Sequence, residues 1–135
     1  MTAELKLLDT SVWISILRPR GSPDATRQVR EWLNNREVVT TPPILAEILQ
    51  GAMSDKEYRN LAHDFSELHQ LPCTDHVWER WYATAYKLNR NGMTVPLIDV
   101  LIAAIAMEHD CLLVHRDKDF DRIKLLTSLK ALRLN

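Results

Sequence analysis

Four acidic residues stand beside apolar elements of the sequence. They are Asp9 behind the run Leu5-Lys6-Leu7-Leu8, Glu47 within PPILAEILQ, Asp99 within PLIDVLIAAIAM, and Asp117 within LVHRDKDF. Asp99 is the most telling, because its helical neighbours three and four positions away are Val95, Pro96, Ile102 and Ala103, none of which can neutralise it. An unpaired carboxylate is costly to bury, so Asp99 must take up a proton or find a cation. Two carboxylates about 4 Å apart repel by roughly 4 kcal/mol at an effective dielectric near 20, so a cluster of such acids calls for positive charge among them. Donors that are all oxygen suit a hard divalent ion, Mg2+ or Mn2+. The other three acids each have a local explanation too: Asp9 as a helix cap, Asp117 as a turn residue, Glu47 as a side chain facing solvent.

Short β-like runs alternate with amphipathic segments along the chain, which predicts an α/β domain in three layers around a mostly parallel sheet. Leu5 to Leu8 forms the first expected strand, and Asp9-Thr10-Ser11 supplies capping oxygens for a short helix that Pro19 and Gly21 end. Ser22-Pro23 opens a second helix carrying Val29, Trp32 and Leu33, which stops near Asn34-Asn35. Glu37 to Thr40 reads as a strand, and a helix from Pro42 follows, closed by Gly51. Ser54 and Glu57 have capping-box spacing ahead of Tyr58, Leu61, Ala62, Phe65 and Leu68.

A strand near His69 to Pro72 precedes a helix capped by Thr74 or Asp75, with Trp78, Trp81, Tyr82, Ala85 and Leu88 as its stripe up to Asn91-Gly92. The segment from Pro96 is apolar on every side, which predicts a central, buried helix. Cys111 to Val114 is an interior strand, and a helix from Phe120 and an edge strand near Lys130 to Leu134 complete the reading. Ligands of open α/β sheets bind outside the carboxyl ends of the strands, the rim where Asp9 and Asp117 are expected to meet.

At 135 residues and 46% apolar content, the chain fits one domain, residues 1–135, with one sizeable core. A net charge of −1 excludes recognition of nucleic acid or membrane by bulk charge alone. No apolar stretch reaches the length of a membrane span. Two cysteines, Cys73 and Cys111, and an opening Met1-Thr2-Ala3-Glu4 without the pattern of an export signal lead us to expect a reduced, cytoplasmic protein.

Taken together, Leu7-Leu8-Asp9-Thr10-Ser11, the glutamate of PPILAEIL, the aspartate of PLIDVLIAAIA and the closing LLVHRDKDF resemble a PIN domain, specifically the VapC-type ribonuclease toxins of toxin–antitoxin modules. The resemblance covers essentially the whole chain. It implies a metal-dependent endoribonuclease whose acidic tetrad falls on Asp9, Glu47, Asp99 and Asp117, with one or two Mg2+ or Mn2+ ions activating water for in-line attack on the RNA phosphodiester. Asp119 and Asp121 are alternatives for the fourth acid, and Thr10 or Ser11 would position Asp9 or a metal-bound water. Position 115 is His where many relatives have Thr or Ser, so the bonding around the fourth acid is expected to differ.

Arg18, Arg20, Arg116 and Lys118 flank these acids and are candidates for RNA phosphate contacts. The resemblance also implies a homodimer and a cognate antitoxin covering the groove beside the acids. One or two of the four tryptophans are expected at such a surface. Other readings stay open from residues alone. A phosphatase of the haloacid dehalogenase type wants an acid where Ser11 stands, and a phospho-receiver domain wants an early acid pair that is absent. A non-catalytic docking module with a vestigial site, or zinc held by His69, Cys73 and His76, are the remaining alternatives.

Overall fold

Short apolar strands and amphipathic helices alternate through residues 4–17 and 23–134, which this computed structural model describes. The expected stop at Pro19 and Gly21, the Ser22 cap, and Arg18 and Arg20 lie outside the described residues. In chain order the elements are β1 (Lys6–Leu8), α1 (Thr10–Leu17), α2 (Pro23–Asn34), β2 (Val38–Thr40), α3 (Pro42–Gln50) and α4 (Asp55–Phe65). There follow β3 (His69–Gln70), α5 (Asp75–Arg90), α6 (Leu97–Glu108), β4 (Leu112–His115), α7 (Lys118–Leu126) and β5 (Ala131–Arg133).

The five strands form one sheet in the order β3-β2-β1-β4-β5, and every pairing is parallel. Strand order reverses at β1, with β2 to one side and β4 to the other. Because parallel crossovers are right-handed, α1 to α4 and α5 to α7 cover opposite faces, which gives three layers. The strands are short and their inner residues are buried: Leu7, Leu8, Val38, Val39, Leu113 and Val114.

Side-chain caps start α4, α5 and α7. Ser54 Oγ accepts from Glu57 N–H at 3.1 Å and starts α4, while Glu57 Oε2 reaches back to Met53 N–H at 3.3 Å. Thr74, rather than Asp75, caps α5 by accepting from Val77 N–H. Asp117 caps α7 through Asp119 N–H at 2.9 Å, so that helix begins two residues earlier than the apolar pattern from Phe120 predicts. Gly51 closes α3 with φ −80°, a conformation open to any residue.

Helix α6 is central as expected, with Val100 to Ala106 all buried. Its first turn departs from that expectation, since the Leu97 and Ile98 side chains are exposed. The buried face of α5 is also rotated from the expected stripe: Val77, Thr84 and Leu88 are buried and Tyr82 is exposed. Trp13 is buried against Phe65, and Trp32, Trp78 and Trp81 pack half-buried on the core, so the exposed aromatics of α5 are Tyr82 and Tyr86.

This packing generates a stability prediction. Ile102→Ala, at a fully buried site on α6, is expected to cost about 2–5 kcal/mol, and Ser54→Ala at the α4 cap only about 1 kcal/mol, in urea unfolding. Equal, small losses for both would contradict α6 as the centre of the core.

Candidate active site

Asp9 follows β1 and extends its ladder by one rung, because its N–H donates to Val114 carbonyl of β4 at 2.9 Å. That bond sets Asp9 beside the end of β4, where the chain turns through Arg116 to Asp117. Asp9 caps α1 as well: its carbonyl accepts from Val12 and Trp13 N–H, and its Oδ2 accepts from Ser11 N–H at 3.0 Å and Ser11 Oγ at 2.6 Å. The same Ser11 hydroxyl accepts from Arg116 N–H at 3.0 Å, which ties the α1 start to the β4–α7 loop.

Glu47 lies on α3, and its Oε1 accepts from Thr10 Oγ1 at 2.7 Å. The two hydroxyls of the Asp-Thr-Ser run therefore serve different acids, Thr10 holding Glu47 and Ser11 holding Asp9. Asp99 sits in the first turn of α6, which is fixed to α5 where Trp81 Nε1 donates to Leu97 carbonyl at 3.0 Å.

Asp99, Asp117 and Asp119 each offer a carboxylate oxygen, and these oxygens lie within 4.8 Å of one another. They are the group of this kind among the described residues; His69, Cys73 and His76 do not come together as one. All three are half-buried. Desolvation pushes the Asp99 carboxyl up to about 7, and the charges of Asp117, Asp9, Asp119 and Glu47 push in the same direction. The other three acids of the expected tetrad, and Asp119, thus act on Asp99.

The segment 117–121 divides between two sides of α7. Residues two apart on a helix point roughly 200° apart, so Asp119 and Asp121 cannot face the same site. Asp119 joins Asp99 and Asp117, while Asp121 turns to Arg133 of β5 at 3.1 Å and to the buried ring of His115 at 3.5 Å. Arg122, not singled out from sequence, spans the two helices that carry the cluster. Its Nη1 donates to Thr94 carbonyl ahead of α6 at 2.9 Å and lies 3.4 Å from Asp119 Oδ1. An i, i+3 spacing from Asp119 was the available signal.

Of the basic candidates, Arg116 and Lys118 are exposed at this rim, and Arg116 donates a hydrogen bond to Ser15 Oγ. Beside Glu47 a cavity of about 260 Å³ opens between α1, α3 and α4, lined by Ile14, Leu17, Ile48 and Leu61. Among the described residues no helix is long and apolar enough to cross a membrane.

Comparison with known proteins agrees with this architecture. The chain is 39% identical over 129 residues to ribonuclease VapC11 of Mycobacterium tuberculosis, a match covering 93% of this chain and 96% of that protein. Its fold superposes on VapBC2 from Rickettsia felis, solved bound to a promoter DNA fragment, with a TM-score of 0.81 at 16% identity over 97% of this chain and 99% of that one. It also superposes on VapBC-5 from Mycobacterium tuberculosis, a member of the VapBC family of toxin–antitoxin systems, with a TM-score of 0.71 at 24% identity over 98% and 100% of the two chains. With residues 6–126 matching the PIN domain and an acid cluster at the reversal point of its parallel sheet, the chain belongs to the PIN domain family, among its VapC members.

Proposed function

We propose that this chain is a metal-dependent endoribonuclease that cuts RNA phosphodiester bonds and serves as the toxin of a type II toxin–antitoxin pair. In this reading it acts in the cytoplasm as a homodimer restrained by a cognate antitoxin. The observation that carries the reading is the set of three half-buried carboxylates within 4.8 Å at the strand-order reversal, with Asp9 and Glu47 adding charge from α1 and α3. The ribonuclease name of a relative at 39% identity supports the choice of RNA.

The donor set fits a hard cation: the atoms are all carboxylate oxygens, and their repulsion is relieved by positive charge. Asp99, Asp117 and Asp119 would hold Mg2+ or Mn2+, with Asp9 and Glu47 completing the surrounding charge. Such an ion supplies Lewis-acid charge to a phosphoryl oxygen and acidifies bound water. The work of the chain itself is placement. Ser11 orients Asp9, Thr10 orients Glu47, and the Arg122 link between Thr94 and Asp119 holds α6 and α7 in register. Arg116 and Lys118 offer charge to the phosphates on either side of the scissile bond.

The direct test is cleavage of a small-RNA pool by purified protein in Mg2+ or Mn2+ against EDTA. Discrete products are expected that vanish with EDTA and fall at least about 100-fold in Asp99→Asn and Asp117→Asn, beyond the 10–100-fold typical of residues that merely support a metal ligand. Metal-independent products, or undiminished cleavage by Asp99→Asn, would overturn the reading. The split within α7 gives a sharper check. Calorimetric Mn2+ titration is expected to show a loss of about tenfold or more in Asp119→Asn and a much smaller one in Asp121→Asn.

The raised Asp99 carboxyl has a consequence for stability. In the unfolded chain Asp titrates near 3.9, so between that pH and about 7 the folded, metal-free protein holds a proton that the unfolded chain lacks. Stability therefore falls as pH rises through this window and levels off above it. Thermal melts in EDTA are expected to give Asp99→Asn a higher Tm than the native chain at pH 8, with the difference shrinking toward pH 5. Burial pushes His115 down, so it favours the folded state toward higher pH, but this contribution is common to both proteins. A pH-independent difference would contradict the raised carboxyl.

A further inference from the structure

His115 ends β4 two residues before Asp117 and is fully buried. Its Nδ1 accepts a hydrogen bond from Asp117 N–H at 3.2 Å. An N–H donor requires a lone pair on Nδ1, which leaves the proton of the neutral ring on Nε2. Nε2 has no hydrogen-bond partner. It faces Asp121 Oδ1 at 3.5 Å, and Arg133 engages the other Asp121 oxygen. The ring packs on Phe120 with centroids 5.2 Å apart.

A fully buried imidazole with one nitrogen unmatched costs free energy that an apolar residue of similar size would not incur. Packing alone therefore does not account for it, and its one matched nitrogen points at the backbone of Asp117. The contact resembles the local turns in which a side-chain acceptor captures the N–H two residues on. Two consecutive N–H groups are held by side-chain acceptors, Arg116 by Ser11 Oγ from the far end of the sequence and Asp117 by the local His115 Nδ1. Holding the Asp117 N–H fixes the peptide plane that carries its Cα, and the Asp119 N–H, donating to Asp117 Oδ1 at 2.9 Å, then ties down its carboxylate.

We propose that His115 is a positioning residue that aims the Asp117 carboxylate into the acid cluster by holding the Asp117 N–H. The inference rests on Asp117 being part of the cation site proposed above.

Three substitutions separate acceptor position from packing. His115→Asn keeps an acceptor on the atom bonded to Cγ, His115→Gln moves it one bond outward, and His115→Leu removes it. The readouts are Mn2+ affinity by electron paramagnetic resonance, Asp117 amide exchange by NMR, and RNA cleavage, on proteins whose fold is checked by circular dichroism. His115→Gln and His115→Leu are expected to weaken Mn2+ binding about 10–100-fold and to speed Asp117 amide exchange, while His115→Asn stays near the native value. Native-like Mn2+ binding in a folded Gln or Leu variant overturns the proposal, as does failure of a folded Asn variant to rescue.

Asp117→Asn distinguishes the two layers of the argument. If it abolishes Mn2+ binding while the His115 variants do not, only the role of His115 falls. If it leaves Mn2+ binding intact, the assignment of Asp117 falls and the His115 proposal with it. Should none of the His115 variants fold, nitrogen NMR of the native ring decides: an unprotonated Nδ1 beside a protected Asp117 amide is expected, and a protonated Nδ1 overturns the proposal.

Discussion

Repulsion among carboxylates is the force that the rest of this fold has to resist. Asp99 on α6 and Asp117 and Asp119 at the start of α7 bring acid oxygens within 4.8 Å of one another, and Asp9 and Glu47 add their charge. Without a counterion this cluster pushes α6 and α7 apart. The opposing restraint is apolar: Val100 to Ala106 are buried, as are Phe120 and Ile123 on α7. An acid cluster of this kind persists because the helices that carry it are anchored a turn or two away by fully buried apolar residues.

Polar restraints then determine where each acid points. Thr10 and Ser11 each commit a hydroxyl to a different carboxylate, and Ser11 also gathers the backbone beyond β4. Arg122 ties the loop before α6 to Asp119. Residues from the two ends of the sequence meet because β1 and β4 are adjacent parallel strands with Leu8 opposite Val114. Parallel pairing brings their carboxyl ends to the same rim, so a sequence separation of more than a hundred residues closes to a single hydrogen bond between Ser11 and Arg116.

Much of this was legible in the sequence because the signals were local. Strand and helix alternation, the caps at Ser54 and Thr74, and the isolation of Asp99 among apolar neighbours depend on residues a few positions apart. What was hidden depended on phase or on distance. Placing the start of α7 at Phe120 rather than at Lys118 concealed that Asp119 and Asp121 lie on opposite sides of one helix. The Thr10 partner of Glu47 is 37 residues away, beyond the reach of any spacing rule. Tyr82 fits the spacing of the α5 stripe yet is exposed, because the buried face of α5 is centred on Val77, Thr84 and Leu88, rotated from that stripe.

Helices α1, α6 and α7 all begin at the acid cluster: Asp9 and Asp117 cap two of them and Asp99 lies in the first turn of the third. Each helix dipole presents roughly half a positive elementary charge at its amino end. Three such ends form a fixed electropositive cradle made of peptide groups, which no side-chain substitution removes. It stabilises the bare acids, and for the same reason it weakens the pull that they exert on a cation. A cation bound among these acids would therefore be held lightly and exchange readily with the surrounding solution.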